Sequence, residues 1–165
     1  MPSYYASFSE VEKDVKVAQL KTEAELRQAI VEALKSELNK RCPSQHLVEF
    51  ALRPMIDRSV KERRKPDVGF SNVVIEVEFP RGGLSKGRAQ LEQYMRDLAS
   101  KAKDVVVHGV VTDGVDAEYY ELRGEHLEVK THGKLSEVMA YLLDNFFAQK
   151  IPVVAPEDLV DILGV

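Results

Sequence analysis

The chain holds one cysteine, Cys42, among 165 residues. No internal disulfide framework can form, and a reducing, cytoplasmic setting is the expectation. Near the expected end of a helix, Cys42 reads as a structural thiol rather than a nucleophile. The apolar runs are too short to span a membrane. The first residues lack the basic–apolar pattern of a signal segment. Neither a P-loop nor another motor motif occurs, and there are no internal repeats or low-complexity tracts. A net charge of −4 excludes a sequence-wide basic surface.

What is present suits one domain, residues 1–165, with 44% hydrophobic residues to build its core. The charge is unevenly spread. Residues 58–96 carry nine Lys/Arg and five Asp/Glu, a local +4 that leaves −8 for the remainder. Such a stretch on an acidic chain suits either a phosphate-binding cleft or a solvated loop and helix.

That basic stretch contains an unusual set of acids. Asp67 follows a proline, and nine residues later Glu76 and Glu78 bracket Val77 inside the apolar run VVIEVEF. A strand places alternate side chains on one face, so both glutamates point the same way, about 6.6 Å apart along the chain. Asn72 reads as a tight turn that folds the Asp67 strand back beside the Glu76 strand. Carboxylates converging in an apolar setting need a counter-charge, and a divalent cation supplies one economically.

The rest of the chain alternates helical and strand patterns. Ser9 with Glu12 and Thr22 with Glu25 each match a capping box. They predict a short helix from about residue 10 and a longer one over 23–40. In the latter, Leu26, Ala29, Ile30, Ala33, Leu34 and Leu38 form one stripe. Glu23 shares that inward face, as a functional acid or as favourable charge in the first turn. Residues 46–52 read as the first strand, and 54–65 as a charged connector. Pro80-Arg81-Gly82-Gly83 breaks the third strand. Ser85 is the expected N-cap of a helix to about 102, with Leu91, Met95, Leu98 and Ala102 inward. Gly87 weakens its first turn and allows a backbone or phosphate to approach.

Residues 105–111 (VVVHGVV) form a near-continuous apolar run, the mark of a strand covered on both faces. With the preceding helix they predict a parallel, right-handed crossover. His108 in that run reads as a satisfied core histidine; His126 and His132 match no metal-ligand spacing. After Thr112-Asp113-Gly114, two strands flanking Arg123-Gly124-Glu125 read as a second hairpin. Residues 134–148 form an amphipathic helix with Leu135, Val138, Met139, Leu142, Leu143, Phe146 and Phe147 on its stripe. The apolar tail 151–165 contains a short helix that either completes the core or meets a second copy in a homodimer.

The ordered set resembles the PD-(D/E)xK nuclease superfamily. Pro66-Asp67 matches its PD, and Glu76-Val77-Glu78 stands where its (D/E)xK element falls. Gln90 and Tyr94 match the Q-x-x-x-Y helix motif of the branch holding RecB-like nucleases and type I restriction endonuclease subunits. Residues 22–27 (TEAELR) look like the first helix of those restriction-subunit domains, and 109–114 (GVVTDG) like the strand after the Gln/Tyr helix. The resemblance covers about residues 20–122. It implies an α/β fold with a restriction-endonuclease-like α-β-β-β-α-β core, a mixed sheet flanked by helices. The hairpin and C-terminal helices, about 123–165, are additions.

The resemblance also implies a function: Mg²⁺-dependent hydrolysis of DNA phosphodiester bonds, leaving a 5′-phosphate, with Mn²⁺ able to substitute. Mg²⁺ takes hard oxygen ligands and keeps several waters. Asp67, Glu76 and the Val77 carbonyl are the implied ligands. Glu78 stands in place of the usual lysine; it can accept a proton as general base but cannot stabilise developing negative charge. Glu23 is the implied outer acid, while Gln90 and Tyr94 position the acids, a water or a phosphate, or form a polar pair at the core's edge. Arg63, Arg64, Lys65, Arg81, Lys86 and Arg88 surround that end and would engage the DNA backbone without reading sequence. A motor or specificity subunit is an expected partner, and a membrane is not. The alternative is a nuclease-fold protein without catalysis that binds DNA or serves in assembly.

Overall fold

The computed structural model describes residues 5–41, 68–70, 72–101 and 105–148. The strand expected over 46–52, the connector, Cys42, Asp67 and the tail lie outside the described residues.

Two helices open the chain: α1 (Phe8–Lys16) and α2 (Glu23–Arg41). Thr22 caps α2 as the sequence predicts, its Oγ1 accepting the Glu25 N–H at 3.1 Å. All six stripe residues of α2 are buried. The α1 cap differs from expectation. Ser7, not Ser9, is the N-cap, accepting the Glu10 N–H at 3.3 Å, and Glu10 reaches back to the Ala6 N–H. Glu12, the expected partner of Ser9, is buried instead and accepts the Ser136 N–H across the molecule.

The strands β1 (Val68–Phe70) and β2 (Val73–Val77) form the antiparallel hairpin expected at Asn72, with Val68 facing Ile75 and Phe70 facing Val73. Helix α3 (Leu84–Lys101) then crosses to β3 (Val107–Thr112), which runs parallel to β2. Gly83 rather than Ser85 precedes that helix, its carbonyl accepting from the Lys86 and Gly87 N–H groups. Asn72 ties the hairpin to the entry of β3, donating from Nδ2 to the Val106 carbonyl and accepting the His108 N–H. β4 (Asp116–Arg123) and β5 (His126–Lys134) add the second hairpin, turning at Gly124 and Glu125. The five strands make one mixed sheet in the order β1-β2-β3-β4-β5. Helix α4 (Leu135–Ala148) closes the described chain.

The centre of the sheet is covered on both faces. Val73, Ile75, Val77 and Val110 pack with α1, α2 and α4 through residues such as Val11, Leu26, Leu34 and Met139. Val74, Val107 and Val111 pack with Leu91 and Met95 of α3. All six residues of β3 are buried, as a strand covered on both faces requires. Phe147 departs from the expected stripe. Phe146 takes the inward place, edge-on to His108, and Phe147, one residue round the helix, is exposed. Among the described residues, no helix is long and apolar enough to cross a membrane.

Candidate functional site

The alternation of β2 decides where its acids go. Val74 belongs to the α3-side cluster while Val73, Ile75 and Val77 belong to the other. Glu76, and Glu78 just beyond the strand, therefore turn toward α3. Both are buried, at 5% and 8% exposure. The Glu78 N–H continues the ladder to the Thr112 carbonyl at 2.8 Å.

Glu78 lies directly beneath the start of α3. A methyl group added at Gly87 would stand 2.7 Å from Glu78 Cγ, 2.9 Å from its Oε1 and 2.7 Å from a Val111 methyl. A methyl at Gly83 would touch Glu78 Cβ at 3.4 Å. These glycines thus let the first turn of α3 settle on the glutamate. The space at Gly87, expected to admit a backbone or a phosphate, is taken by the Glu78 and Val111 side chains. Negative charge at a helix N-terminus is favourable, so this position suits a carboxylate better than a lysine.

The other expected site residues within the described residues lie on α2, on α3 and in the loop before it. Glu23 starts α2, is partly exposed, and pairs with Arg27 at 3.7 Å. Gln90 is exposed, while Tyr94 is half-buried against the α3-side cluster. Arg81 and Lys86 are exposed around the start of α3. Arg88 is held by Glu118 through Nε and Nη2, both at 2.5 Å, and the Tyr120 hydroxyl donates to the same carboxylate at 2.9 Å. Asp67, Arg63, Arg64 and Lys65 lie outside the described residues. Val68, which follows Asp67 in the chain, faces Ile75, which precedes Glu76. Among the described residues, no three acids, histidines or cysteines gather in a metal-holding group.

No family model, curated protein or solved structure matches this chain. The chemistry of the site rests on its geometry.

Two groups that the sequence does not single out shape this end of the sheet. Glu118 lies in a cross-strand row on the α3 face: Glu76 opposite Val111, Val111 opposite Glu118, Glu118 opposite His132. The Arg88 guanidinium, with help from Tyr120, holds the Glu118 carboxyl below the ordinary glutamate value of 4.5, against the opposing effect of burial. A depressed carboxylate stabilises the fold above its unfolded pKa and loses that contribution as the pH falls through its folded value. Glu118→Gln should therefore lower stability at pH 7, with the deficit shrinking below about pH 4.5. Urea unfolding at pH 7 and in steps below pH 4.5 checks this.

Asp113 is the second such group. It is 2% exposed. Its Oδ1 accepts the N–H groups of Val115 and Asp116 at 3.0 and 2.8 Å, and its Oδ2 accepts the Gly82 N–H at 3.0 Å. The first pair is the ordinary behaviour of Asp in a turn. The third bond spans 31 residues and joins the β3–β4 turn to the loop before α3.

The other face holds a buried polar network beside α4. His108 Nδ1 lies 2.6 Å from the Tyr119 hydroxyl and 3.9 Å from Glu121 Oε2, and Arg123 donates to Glu121 at 2.6 Å. Burial first, then the Glu121 charge, pushes the Tyr119 hydroxyl well above its usual range. His108 is the hydrogen-bonded core histidine that its apolar run suggests.

Proposed function

We propose that this chain is a metal-dependent deoxyribonuclease with a restriction-endonuclease-like core. The observation that carries the reading is the placement of Glu76 and Glu78, two buried acids on one sheet face where α3 begins. The order α2, β1–β2 hairpin, α3, parallel β3 accords with that core. The carboxylate and carbonyl oxygens here suit a hard cation such as Mg²⁺, with Mn²⁺ as substitute. Glu76, the Val77 carbonyl and Asp67 would hold it, and when bound it supplies Lewis-acid activation of water and phosphate.

The chain's own residues do the rest. Glu78 orients the attacking water and accepts its proton. The exposed Arg81 and Lys86 attract the DNA backbone, a sequence-independent contact. Gln90, exposed on the same helix, steadies a phosphate or water, with Tyr94 packed behind it. The test is incubation of the chain with linear, circular and branched DNA across a Mg²⁺ and Mn²⁺ titration. Cleavage that disappears in Asp67→Ala and Glu76→Ala supports the reading. DNA that stays intact at every metal concentration overturns it.

A specific observation favours a second reading, a nuclease-fold protein that binds DNA or assembles with a motor or specificity subunit without cutting. Glu78 already has a packing task under Gly83 and Gly87, and Arg88 is engaged by Glu118. Glu78→Lys separates the two. Under the catalytic reading it should lower turnover about 10²-fold, because the base is lost and an ammonium meets the positive end of α3. Increased turnover, measured by gel-resolved cleavage, would mark a decayed site awaiting its lysine.

A further inference from the structure

We infer that Asp113 is a positioning residue that latches the loop before α3, and through it holds Glu78 in place. This rests on the nuclease reading for its catalytic consequence, but the latch itself rests on geometry alone. The loop from Pro80 to Gly83 is exposed except for Gly83, so few side chains fix it. Its Gly82 N–H is bonded to the carboxylate of Asp113, a buried group across the sheet end. Gly83 follows directly, lies against Glu78, and immediately precedes α3.

The two oxygens of Asp113 divide the labour. Oδ1 builds the β3–β4 turn with Val115 and Asp116, while Oδ2 alone reaches the loop. Asp113→Asn can keep the first set, since an amide oxygen still accepts two N–H groups. Its NH₂ would then confront the Gly82 N–H, donor against donor. Arg81, exposed, directly precedes the latched amide in the chain. Thr112 serves as a control. Its Oγ1 accepts the Gly114 N–H at 2.9 Å and donates to the Asp116 carbonyl at 2.8 Å, supporting the same turn without touching the loop.

The experiment compares wild type, Asp113→Asn and Thr112→Val by hydrogen exchange at Gly82 and by steady-state cleavage. Asp113→Asn should speed Gly82 exchange about tenfold, as loss of one hydrogen bond allows. It should also lower kcat about tenfold or more with KM for DNA little changed, because Glu78 acts in the chemical step. Thr112→Val should change neither Gly82 exchange nor kcat by as much. Unchanged Gly82 exchange in Asp113→Asn overturns the latch, as does an equal loss from Thr112→Val. Should the wild-type chain cleave no DNA, the nuclease reading fails by itself. The latch is then decided by exchange alone, with faster exchange in Asp113→Asn supporting it and unchanged exchange removing it.

Discussion

Glu76→Gln and Glu76→Ala should each reduce metal-dependent DNA cleavage by at least about 10³-fold, equivalent to roughly 4 kcal/mol in the barrier. Glu76 lies within β2, buried, with its backbone in the parallel ladder opposite Val111. Replacement of the side chain leaves that ladder intact. Glutamine keeps the shape but removes the charge that would hold a cation, so its loss of activity measures the charge and not the packing. The stability control is thermal unfolding. In a chain of this size about 1 kcal/mol shifts the midpoint by roughly 2–4 °C, and Glu76→Gln should stay within that range. A glutamine variant that cuts DNA at the wild-type rate would remove Glu76 from the chemistry. A variant that loses activity only because it unfolds would make Glu76 a structural residue.

The parts of this fold that sequence reveals are those where periodicity is enforced by burial. The α2 stripe from Leu26 to Leu38 is buried throughout because each position faces one core. The same-facing geometry of Glu76 and Glu78 follows from period two in a strand, and the Val74 cluster shows which face it is. Helix ends are less legible. Ser7 with Glu10 and Ser9 with Glu12 are equally good capping boxes on paper. The choice is made at a distance, where Glu12 is drawn to the Ser136 N–H at the start of α4. No local pattern carries that information.

The site shows the same division more sharply. Arg88 looks like one of several cations available to DNA, yet Glu118, 30 residues away, holds it in a two-point grip. Asp113 looks like turn chemistry, and two of its three bonds are that, but the third reaches Gly82 across the sheet end. Gly87 looks like space, and the space belongs to Glu78 and Val111. Each of these is a tertiary contact between segments whose own sequences are satisfied without it. Residue type gives the chemistry that is possible, and only the packing of α3 on the sheet selects which pairs meet. Dependence on such packing also means that the turn holding Asp113 must itself be held.

Gly114→Ala tests that dependence and should destabilise the fold by about 3 kcal/mol. Gly114 follows Asp113 and has φ +92°, a conformation disfavoured for any residue with a Cβ, at roughly 1–2 kcal/mol. The added methyl would also stand 2.7 Å from a Val15 methyl of α1 and 2.8 Å from a Leu26 methyl of α2, closer than packed carbon atoms come. Overpacking of that kind costs about 1–3 kcal/mol. Gly124→Ala is the internal control. It too has positive φ, +60°, but nothing lies within 4 Å of its added methyl, so only the backbone effect remains, about 1 kcal/mol. The difference between the two variants in urea unfolding isolates the packing of α1 and α2 against the β3–β4 turn. Equal losses would show that this junction yields freely, and that Asp113 is carried on a compliant turn instead of a fixed one.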